Sequence, residues 1–171
     1  MRVGIGYDSH RFESGRPLVL GGVRIPEHPG LKGHSDGDAV AHALIDALLG
    51  AAGLGNVGHH FPDTDPQWEG ADSMRLLSAA VRLIEERNYQ VINVDVTIVT
   101  ESPRIAPWVE RMAEGIAELL HTARSCISIK GKTNEGLGWI GRGEGLAVMA
   151  VTLLDQIGDI DTLHASIRAG G

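Results

Sequence analysis

The chain contains a single cysteine, Cys126, which excludes an internal disulfide and favours a reducing compartment. It has no apolar run long enough to cross a membrane. Its first residues, 1–11, have neither the apolar core of a secretion signal nor the Arg- and Ser-rich pattern of a transit peptide. We therefore expect a cytoplasmic protein with no membrane partner.

Basic residues are also in the minority. Lys and Arg number 15 against 22 Asp and Glu, so the net charge is −7 over 171 residues. Binding of nucleic acid needs a basic stripe, and we expect no nucleic-acid partner. A phosphorylated small ligand remains compatible, because metal ions and backbone N–H groups can hold phosphate. The length predicts one domain, residues 1–154, and a tail at 155–171 whose weak periodicity is typical of a frayed helix or of disorder.

The hydrophobic pattern predicts strands and helices in one α+β domain. Alternation with period two predicts strands at 3–10 and 91–100. Further strands are predicted at 125–130 and 146–154, and a hairpin at 18–25 around Gly21 and Gly22. Helical periodicity predicts helices at about 36–50, 71–88 and 107–121. Pro26 and Pro29 are predicted to end regular structure. We interpret the whole as one mixed or antiparallel sheet of four to five strands with about three helices on one face.

The first and last strands predict what lies on each face of this sheet. In the first strand, alternation separates Val3, Ile5 and Tyr7 from a second face that carries Gly4, Gly6, Asp8 and His10. The final strand, 146–154, is apolar on both faces except at Thr152 and therefore needs cover on both sides. Three helices can cover only one face, so we expect another copy of the chain on the other.

Three residues are candidate metal ligands. Asp8 and His10 lie two residues apart and point to the same side of the first strand, while His42 lies in the first predicted helix. Two histidines and one carboxylate form a catalytic zinc set with an open position. Asp38 and Asp46 lie one helical turn from His42, and one of them would orient its imidazole by a hydrogen bond. An isolated Asp-x-His pair is also common among ordinary surface residues, so spacing alone leaves the site open.

Three loops are further candidates. The segment 34–38 begins a helix and would favour an anion, or Ser35 simply caps the helix in a capping box with Asp38. The acidic segment 59–66 is either a turn or part of a site. The segment 136–141 has G-x-G-x-x-G spacing, but it leads into a strand, so we reject a dinucleotide site. Before it stand groups suited to a diphosphate with its own metal ion: Lys130, Lys132, Thr133 and Glu135.

Seven segments in order resemble one family over residues 1 to about 154. They are GYDSHRF at 6–12, GGVRIP at 21–26, HSDGDAVAHALIDALLGAAGLG at 34–55, FPDTDP at 61–66, GADS at 70–73, NVDVTI at 93–98 and TNEGLGWIGRGEG at 133–145. The family is that of 2-C-methyl-D-erythritol 2,4-cyclodiphosphate synthase, from the non-mevalonate pathway of isoprenoid biosynthesis. Seven motifs at consistent spacing are far more specific than any one of them.

The resemblance implies a lyase that converts 4-diphosphocytidyl-2-C-methyl-D-erythritol 2-phosphate to the 2,4-cyclodiphosphate and CMP, by metal-assisted attack of the 2-phosphate on the β-phosphate. It implies a homotrimer with active sites between subunits, and one zinc ion per site on Asp8, His10 and His42. A second ion, Mg²⁺ or Mn²⁺, would bind Glu135 together with the substrate diphosphate. Near Arg142, on the trimer axis, the alternatives are a bound isoprenoid diphosphate or an ion pair between subunits.

The resemblance also implies roles for individual residues. His34 and Thr133 would stabilise the transition state. The erythritol phosphate would contact Ser35, Gly58, Phe61, Pro62, Asp63, Thr64 and Asp65. The cytidine and diphosphate would contact Thr100, Glu101, Ser102, Pro103, Arg104, Ile105, Ala106 and Lys132, with further substrate contacts from Asn56, Asn134, Trp139 and Arg142.

Four positions depart from the family's usual residues. Asn56 replaces Asp, Lys132 replaces a small hydroxyl residue, and Trp139 and Tyr7 replace Phe. These departures bear on affinity rather than on the reaction. Two other functions remain as alternatives: a zinc phosphohydrolase with the same ligands, and a regulatory nucleotide-binding trimer with a degenerate site.

Overall fold

The computed structural model describes residues 1–68 and 70–157, so most of the predicted tail at 155–171 lies outside the described residues. The described residues form five strands, β1 Arg2–Leu20, β2 Val23–Leu31, β3 Tyr89–Val99, β4 Ile127–Lys132 and β5 Gly145–Gln156. They also form five helices, α1 Ala39–Ala52, α2 Val57–His60, α3 Ser73–Glu85, α4 Val109–Leu119 and α5 Gly138–Gly141. Single 3₁₀ turns lie at Pro66–Trp68, Ala106–Trp108 and Arg124–Cys126.

The strands form one sheet in the order β2-β1-β5-β3-β4. Only β3 and β4 are parallel, which makes the sheet mixed. The predicted α+β class with a sheet of four to five strands is confirmed. Within the described residues, no helix combines the length and apolar character needed to span a membrane.

The long strand β1 pairs with two other strands. Its first half, from Arg2 to Arg11, pairs with β5, and its second half pairs with β2 through the predicted Gly21-Gly22 turn. The prediction that Pro26 and Pro29 end regular structure is wrong, because β2 continues through both to Leu31. β2 is an edge strand, where a missing backbone N–H is tolerated.

The two faces of β1 differ as predicted. Val3 and Ile5 are 69% and 70% exposed, whereas Gly4 and Gly6 are buried. A Cβ atom at Gly6 would lie 1.9 Å from the carbonyl oxygen of Ala43, and one at Gly4 would lie 2.0 Å from that of Ala47. The backbone of α1 therefore packs directly on the backbone of β1.

The core lies between the sheet and the three longer helices. Fully buried side chains come from all three helices and from the strands, including Leu44, Leu48, Leu77, Ile84, Met112, Ile116 and Ile98. The opposite face of the sheet is apolar but exposed, at Val3, Ile5, Tyr7, Met149 and Val151. Within residues 1–68 and 70–157, helices thus cover one face only, and the other presents an exposed apolar surface on β1 and β5.

The start of α1 differs from the prediction. The helix begins at Ala39, and its N-cap is Asp38, whose carboxylate accepts the N–H groups of Val40 and Ala41. The same carboxylate accepts the N–H groups of Gly21 and Gly22. The predicted capping box of Ser35 with Asp38 is therefore wrong, because Asp38 itself is the cap and also fixes the β1–β2 turn.

Other differences are at element ends. The acidic segment 59–66 includes the end of α2 and the first residue of a 3₁₀ turn, and the segment 136–141 contains the four-residue α5. β5 continues to Gln156, two residues beyond the predicted end of the domain. None of these differences alters the sheet.

Replacing Gly6 with Ala tests the contact between α1 and β1. The added methyl group has no room, so we expect the free energy of unfolding to fall by about 1–3 kcal/mol in urea titrations. Gly115→Ala in α4 is the matched control, because no neighbouring atom lies within 4 Å of its Cβ position. That control should gain up to about 1 kcal/mol from helix propensity. Unchanged stability of Gly6→Ala would contradict the described contact.

Candidate metal centre

The structure brings the three predicted metal ligands together. The Asp8 Oδ2 atom lies 2.8 Å from His10 Nε2 and 3.2 Å from His42 Nδ1. One ligand atom from each residue lies within 4.8 Å of the others. β1 presents Asp8 and His10 on the face that carries Gly4 and Gly6, and α1 packs against that face and presents His42.

The tautomer of His10 follows from its second nitrogen. Nδ1 lies 2.6 Å from the carbonyl oxygen of Lys32, which can only accept, so Nδ1 carries the proton. In neutral His10 this leaves a lone pair on Nε2, facing the carboxylate of Asp8. Two acceptors 2.8 Å apart need a proton or a metal ion between them.

The pKa values of Asp8 and His10 reflect this need for a positive charge between the two groups. Burial alone would raise the pKa of Asp8, but the adjoining imidazoles of His10 and His42 prevail and lower the pKa from 3.8 to about 2. The hydrogen bond to Asp8 raises the pKa of His10, although burial opposes it. Without metal, a proton on His10 therefore takes the place of the cation.

The donor set fits a divalent metal ion. The carboxylate and the two imidazoles can direct lone pairs to one point, and their side chains are only 16–22% exposed. A carboxylate with two imidazoles is a donor set that zinc and similar ions prefer. The three side chains therefore form a candidate metal centre.

The predicted hydrogen bond in which Asp38 or Asp46 would accept from His42 and orient its imidazole is not present. The fully buried carboxylate of Asp38 is taken up by backbone N–H groups at the start of α1 and in the β1–β2 turn. That of Asp46 accepts the N–H of Val57 at 2.7 Å and so fixes the start of α2. Instead, His42 Nε2 faces the hydroxyls of Ser35 at 3.2 Å and Ser73 at 3.1 Å.

Several backbone N–H groups at the start of α1, the anion site considered from the sequence, already have partners within the chain. Those of Val40 and Ala41 are bonded to Asp38. In the preceding segment the N–H of Gly37 is bonded to Ser35, and that of Asp36 to the carbonyl of Ala71. These internal hydrogen bonds reduce the number of backbone N–H groups that this helix end can offer to an anion.

A cavity of about 300 Å³ opens beside His10 and His42. Five residues predicted from the sequence to contact substrate or transition state line it: His34, Ser35, Gly58, Phe61 and Asp63. Val57, Trp68 and Leu76 add an apolar wall that the sequence analysis missed. The ring of Trp68 packs edge-on against Phe61 at 5.2 Å and supports the 61–65 turn.

Four other residues assigned to this region do not line the cavity: Asn56, Pro62, Thr64 and Asp65. The side chain of Asn56 caps α2 by accepting the N–H of His59 at 3.0 Å, and Asp65 accepts the N–H of Gln67. Both side chains therefore shape the backbone around the cavity.

A second cavity, of about 250 Å³, lies at the ends of β3 and β4. The predicted cytidine and diphosphate residues that line it are Thr100, Glu101, Pro103, Arg104, Ile105, Ala106 and Lys132, together with Thr133. Ser102, Asn134 and Glu135 are not among its lining residues. Glu101 accepts the N–H groups of Asn134 and Gly136, so its carboxylate holds the loop that carries Glu135. Glu135 itself accepts the hydroxyl of Thr133 at 2.8 Å.

Two predicted residues lie near a third cavity of about 270 Å³. Trp139 lines it together with Ser9, His10, Arg11 and Glu144. Arg142 does not line it, and its guanidinium pairs at 2.6 Å with Glu144 of the same chain.

Arg16 is a residue that the sequence analysis missed. Its guanidinium donates to the carbonyl of Gly33 at 2.7 Å and to that of Ser35. These two carbonyls flank His34, so Arg16 fixes the backbone that carries this side chain. The sequence gave no signal for the contact, because it joins residues 17 and 19 positions apart.

Known proteins of one family are similar to this chain in sequence and in fold. The model of the YgbB family matches residues 1–155. The 2-C-methyl-D-erythritol 2,4-cyclodiphosphate synthase of Dechloromonas aromatica is 52% identical over 157 residues, covering 92% of this chain and 98% of the relative. The synthase of that name from Symbiobacterium thermophilum is 54% identical over 154 residues, 90% of this chain and 98% of the relative. A solved structure of such a synthase in its CDP-bound form superposes with a TM-score of 0.83 at 42% identity, covering 90% of this chain and all of that one.

Metal binding at this centre should depend on pH. In the metal-free protein, stabilisation from Asp8 is lost as pH falls from 3.8 towards about 2, and that from His10 is lost as pH rises through its raised pKa, above 6.5. A divalent metal ion that binds at this centre must displace the proton of His10. Its apparent affinity should therefore rise by up to about tenfold per pH unit below that pKa and level off above it. Chelator competition from about pH 5 to 8 measures this, and an affinity independent of pH would contradict the described centre.

Proposed function

Because the chain belongs to the YgbB family, we propose that the metal centre and the first and second cavities carry out the ring closure of the cyclodiphosphate synthases. The chain is a lyase of isoprenoid biosynthesis that converts 4-diphosphocytidyl-2-C-methyl-D-erythritol 2-phosphate to 2-C-methyl-D-erythritol 2,4-cyclodiphosphate and CMP. The proposed mechanism rests on one observation. Asp8, His10 and His42 converge beside the first cavity, which is lined by residues predicted to contact the substrate. A single cysteine agrees with a reaction in the cytoplasm.

We assign zinc to Asp8, His10 and His42, and Mg²⁺ or Mn²⁺ to Glu135 together with the substrate diphosphate. When bound, these ions would neutralise phosphate charge and polarise phosphorus. The exposed carboxylate of Glu135 fits an ion that keeps several water or phosphate ligands, because one protein oxygen is then enough.

The attacking group is itself a phosphate oxygen, already ionised near neutral pH, so the chain need not supply a strong base. Its residues have to hold the two phosphates in line. His34 and Ser35, on the turn fixed by Arg16, face the first cavity and would hold the 2-phosphate. Lys132 and Thr133 line the second cavity and would hold the diphosphate.

The first cavity also favours cyclisation over hydrolysis. Val57, Phe61, Trp68 and Leu76 form an apolar wall, and water must be kept from the β-phosphate for the ring to form. The 61–65 turn, supported by Trp68, would close over the erythritol phosphate and exclude water. This wall speaks against the alternative of a zinc phosphohydrolase.

We propose that each active site forms between two subunits of a homotrimer. In the described part of the chain the first and second cavities share no lining residue, yet one substrate must reach both. The exposed apolar face of the sheet, with Val3, Ile5 and Val151, offers a surface for neighbouring copies. Binding of an isoprenoid diphosphate on the trimer axis stays a prediction. Within this chain the guanidinium of Arg142 already pairs with the carboxylate of Glu144.

A turnover assay tests the reaction. With Mg²⁺ present, ³¹P NMR should show cyclic diphosphate and CMP in equal amounts, and Asp8→Asn should lower the rate by at least about 100-fold. Asp155→Asn, at an exposed carboxylate paired with the N-terminus, is the control and should keep full activity. Linear erythritol bisphosphate with CMP would indicate the phosphohydrolase, and CDP binding without turnover the regulatory protein.

Mixing two inactive variants tests the shared site. Asp8→Asn damages the first half-site and Glu135→Gln the second, so co-expressed subunits with different tags should regain activity in mixed trimers. Random assortment places the two intact halves at about a quarter of the interfaces, and we expect about that fraction of wild-type activity. Each variant alone is the control. Mixed oligomers that remain inactive would contradict an active site between subunits.

A further inference from the structure

A chain of hydrogen bonds holds the imidazole of His42 on the side away from the metal centre. The Nε2 atom of His42 lies 3.1 Å from the hydroxyl of Ser73, and this hydroxyl donates to Oδ1 of Asp36. The hydroxyl of Ser35 lies 3.2 Å from both Nε2 and the Ser73 hydroxyl. Neither the sequence analysis nor the reaction assigns a role to Asp36 or Ser73.

The protons in this chain can be assigned from donors and acceptors. A hydroxyl has one proton, and that of Ser73 goes to the carboxylate of Asp36, which has only lone pairs to offer. The Ser73 oxygen can therefore only accept from His42, so Nε2 of His42 carries the proton. In a neutral imidazole this leaves the lone pair on Nδ1, the atom that faces Asp8 at 3.2 Å.

The same groups are held firmly in place. Ser73 is fully buried as the first residue of α3, and its backbone N–H also donates to Asp36, at 3.1 Å. Asp36 accepts the N–H of Asp38, while its own N–H donates to the carbonyl of Ala71. The start of α3 and the segment before α1 are thereby joined around the imidazole. A chain with every hydrogen bond made specifies one orientation of each member.

We infer that Ser73 and Asp36 are positioning residues, which fix the orientation and tautomer of His42 so that Nδ1 is ready to bind the metal ion. Loss of the Ser73 hydroxyl leaves only Ser35 near Nε2, and a Ser35 hydroxyl can either donate or accept. The imidazole is then free to place its proton on Nδ1, where the metal must bind. In known metal sites, mutation of a residue that hydrogen-bonds to a metal ligand weakens metal affinity by about 10- to 100-fold.

Zinc affinity of the full-length protein tests the inference, measured by competition with a chromophoric chelator. We expect Ser73→Ala to weaken zinc binding by about 10- to 100-fold and Ser73→Thr, which keeps the hydroxyl, to restore most of it. Asp36→Asn keeps the shape but removes one acceptor and should also weaken zinc binding. Ser78→Ala, on the same helix, is the matched control and should bind zinc like the wild type.

The absorption spectrum of the cobalt-substituted protein gives a readout that packing alone would not move. We expect altered ligand-field bands in Ser73→Ala and wild-type bands in Ser73→Thr and Ser78→Ala. Zinc affinity of both Ser73→Ala and Asp36→Asn within about threefold of wild type would overturn the inference. The inference rests on the metal site proposed above. Wild-type protein that binds no zinc would contradict that site, whereas tight wild-type binding with unaffected variants would contradict only the role of Ser73 and Asp36.

Discussion

The direct contact between the backbones of α1 and β1 is the constraint on which the metal centre depends. At Gly4 and Gly6 no side chain separates the helix from the strand, and a Cβ atom at Gly6 would lie 1.9 Å from a helix carbonyl. The helix can therefore bring His42 within 3.2 Å of Asp8, a residue of the strand. A larger residue at either glycine would move the helix away and separate the third ligand from the other two.

Both imidazoles of the centre are prepared for metal in the same way. The far nitrogen of His10 donates to the carbonyl of Lys32, and that of His42 lies against a hydroxyl whose proton is already committed to Asp36. The near nitrogens then direct lone pairs towards the carboxylate of Asp8. Such an arrangement is stable only around a positive charge, which explains why the pKa of His10 is raised by Asp8 and why a cation suits the site.

The sequence predicted those parts of the molecule that depend on local pattern. Alternation in β1 and the Gly21-Gly22 turn follow from period and turn chemistry. Spacing alone left the three candidate metal ligands open, and the motifs shared with the family identified them. The contacts of Asp38, Ser73 and Arg16 were not evident from the sequence, because they join groups distant along the chain. Helical spacing suggested that Asp38 could orient His42 by a hydrogen bond. Asp38 instead precedes the first helical residue, and its carboxylate caps the helix. β2 can contain two prolines because it is an edge strand. Its edge position depends on the strand order of the whole sheet, which local pattern does not predict.

The first and second cavities are separate within one chain. The central claim is therefore that ring closure occurs between two subunits, at a metal ion held by Asp8, His10 and His42. Anomalous diffraction at the zinc absorption edge, from crystals grown with zinc and CDP, tests this claim most directly. The account predicts a zinc peak bonded to these three residues of one subunit, with CDP in the cavity lined by Lys132 and Thr133 of its neighbour. A zinc peak elsewhere, or CDP bound far from any zinc ion, would contradict it.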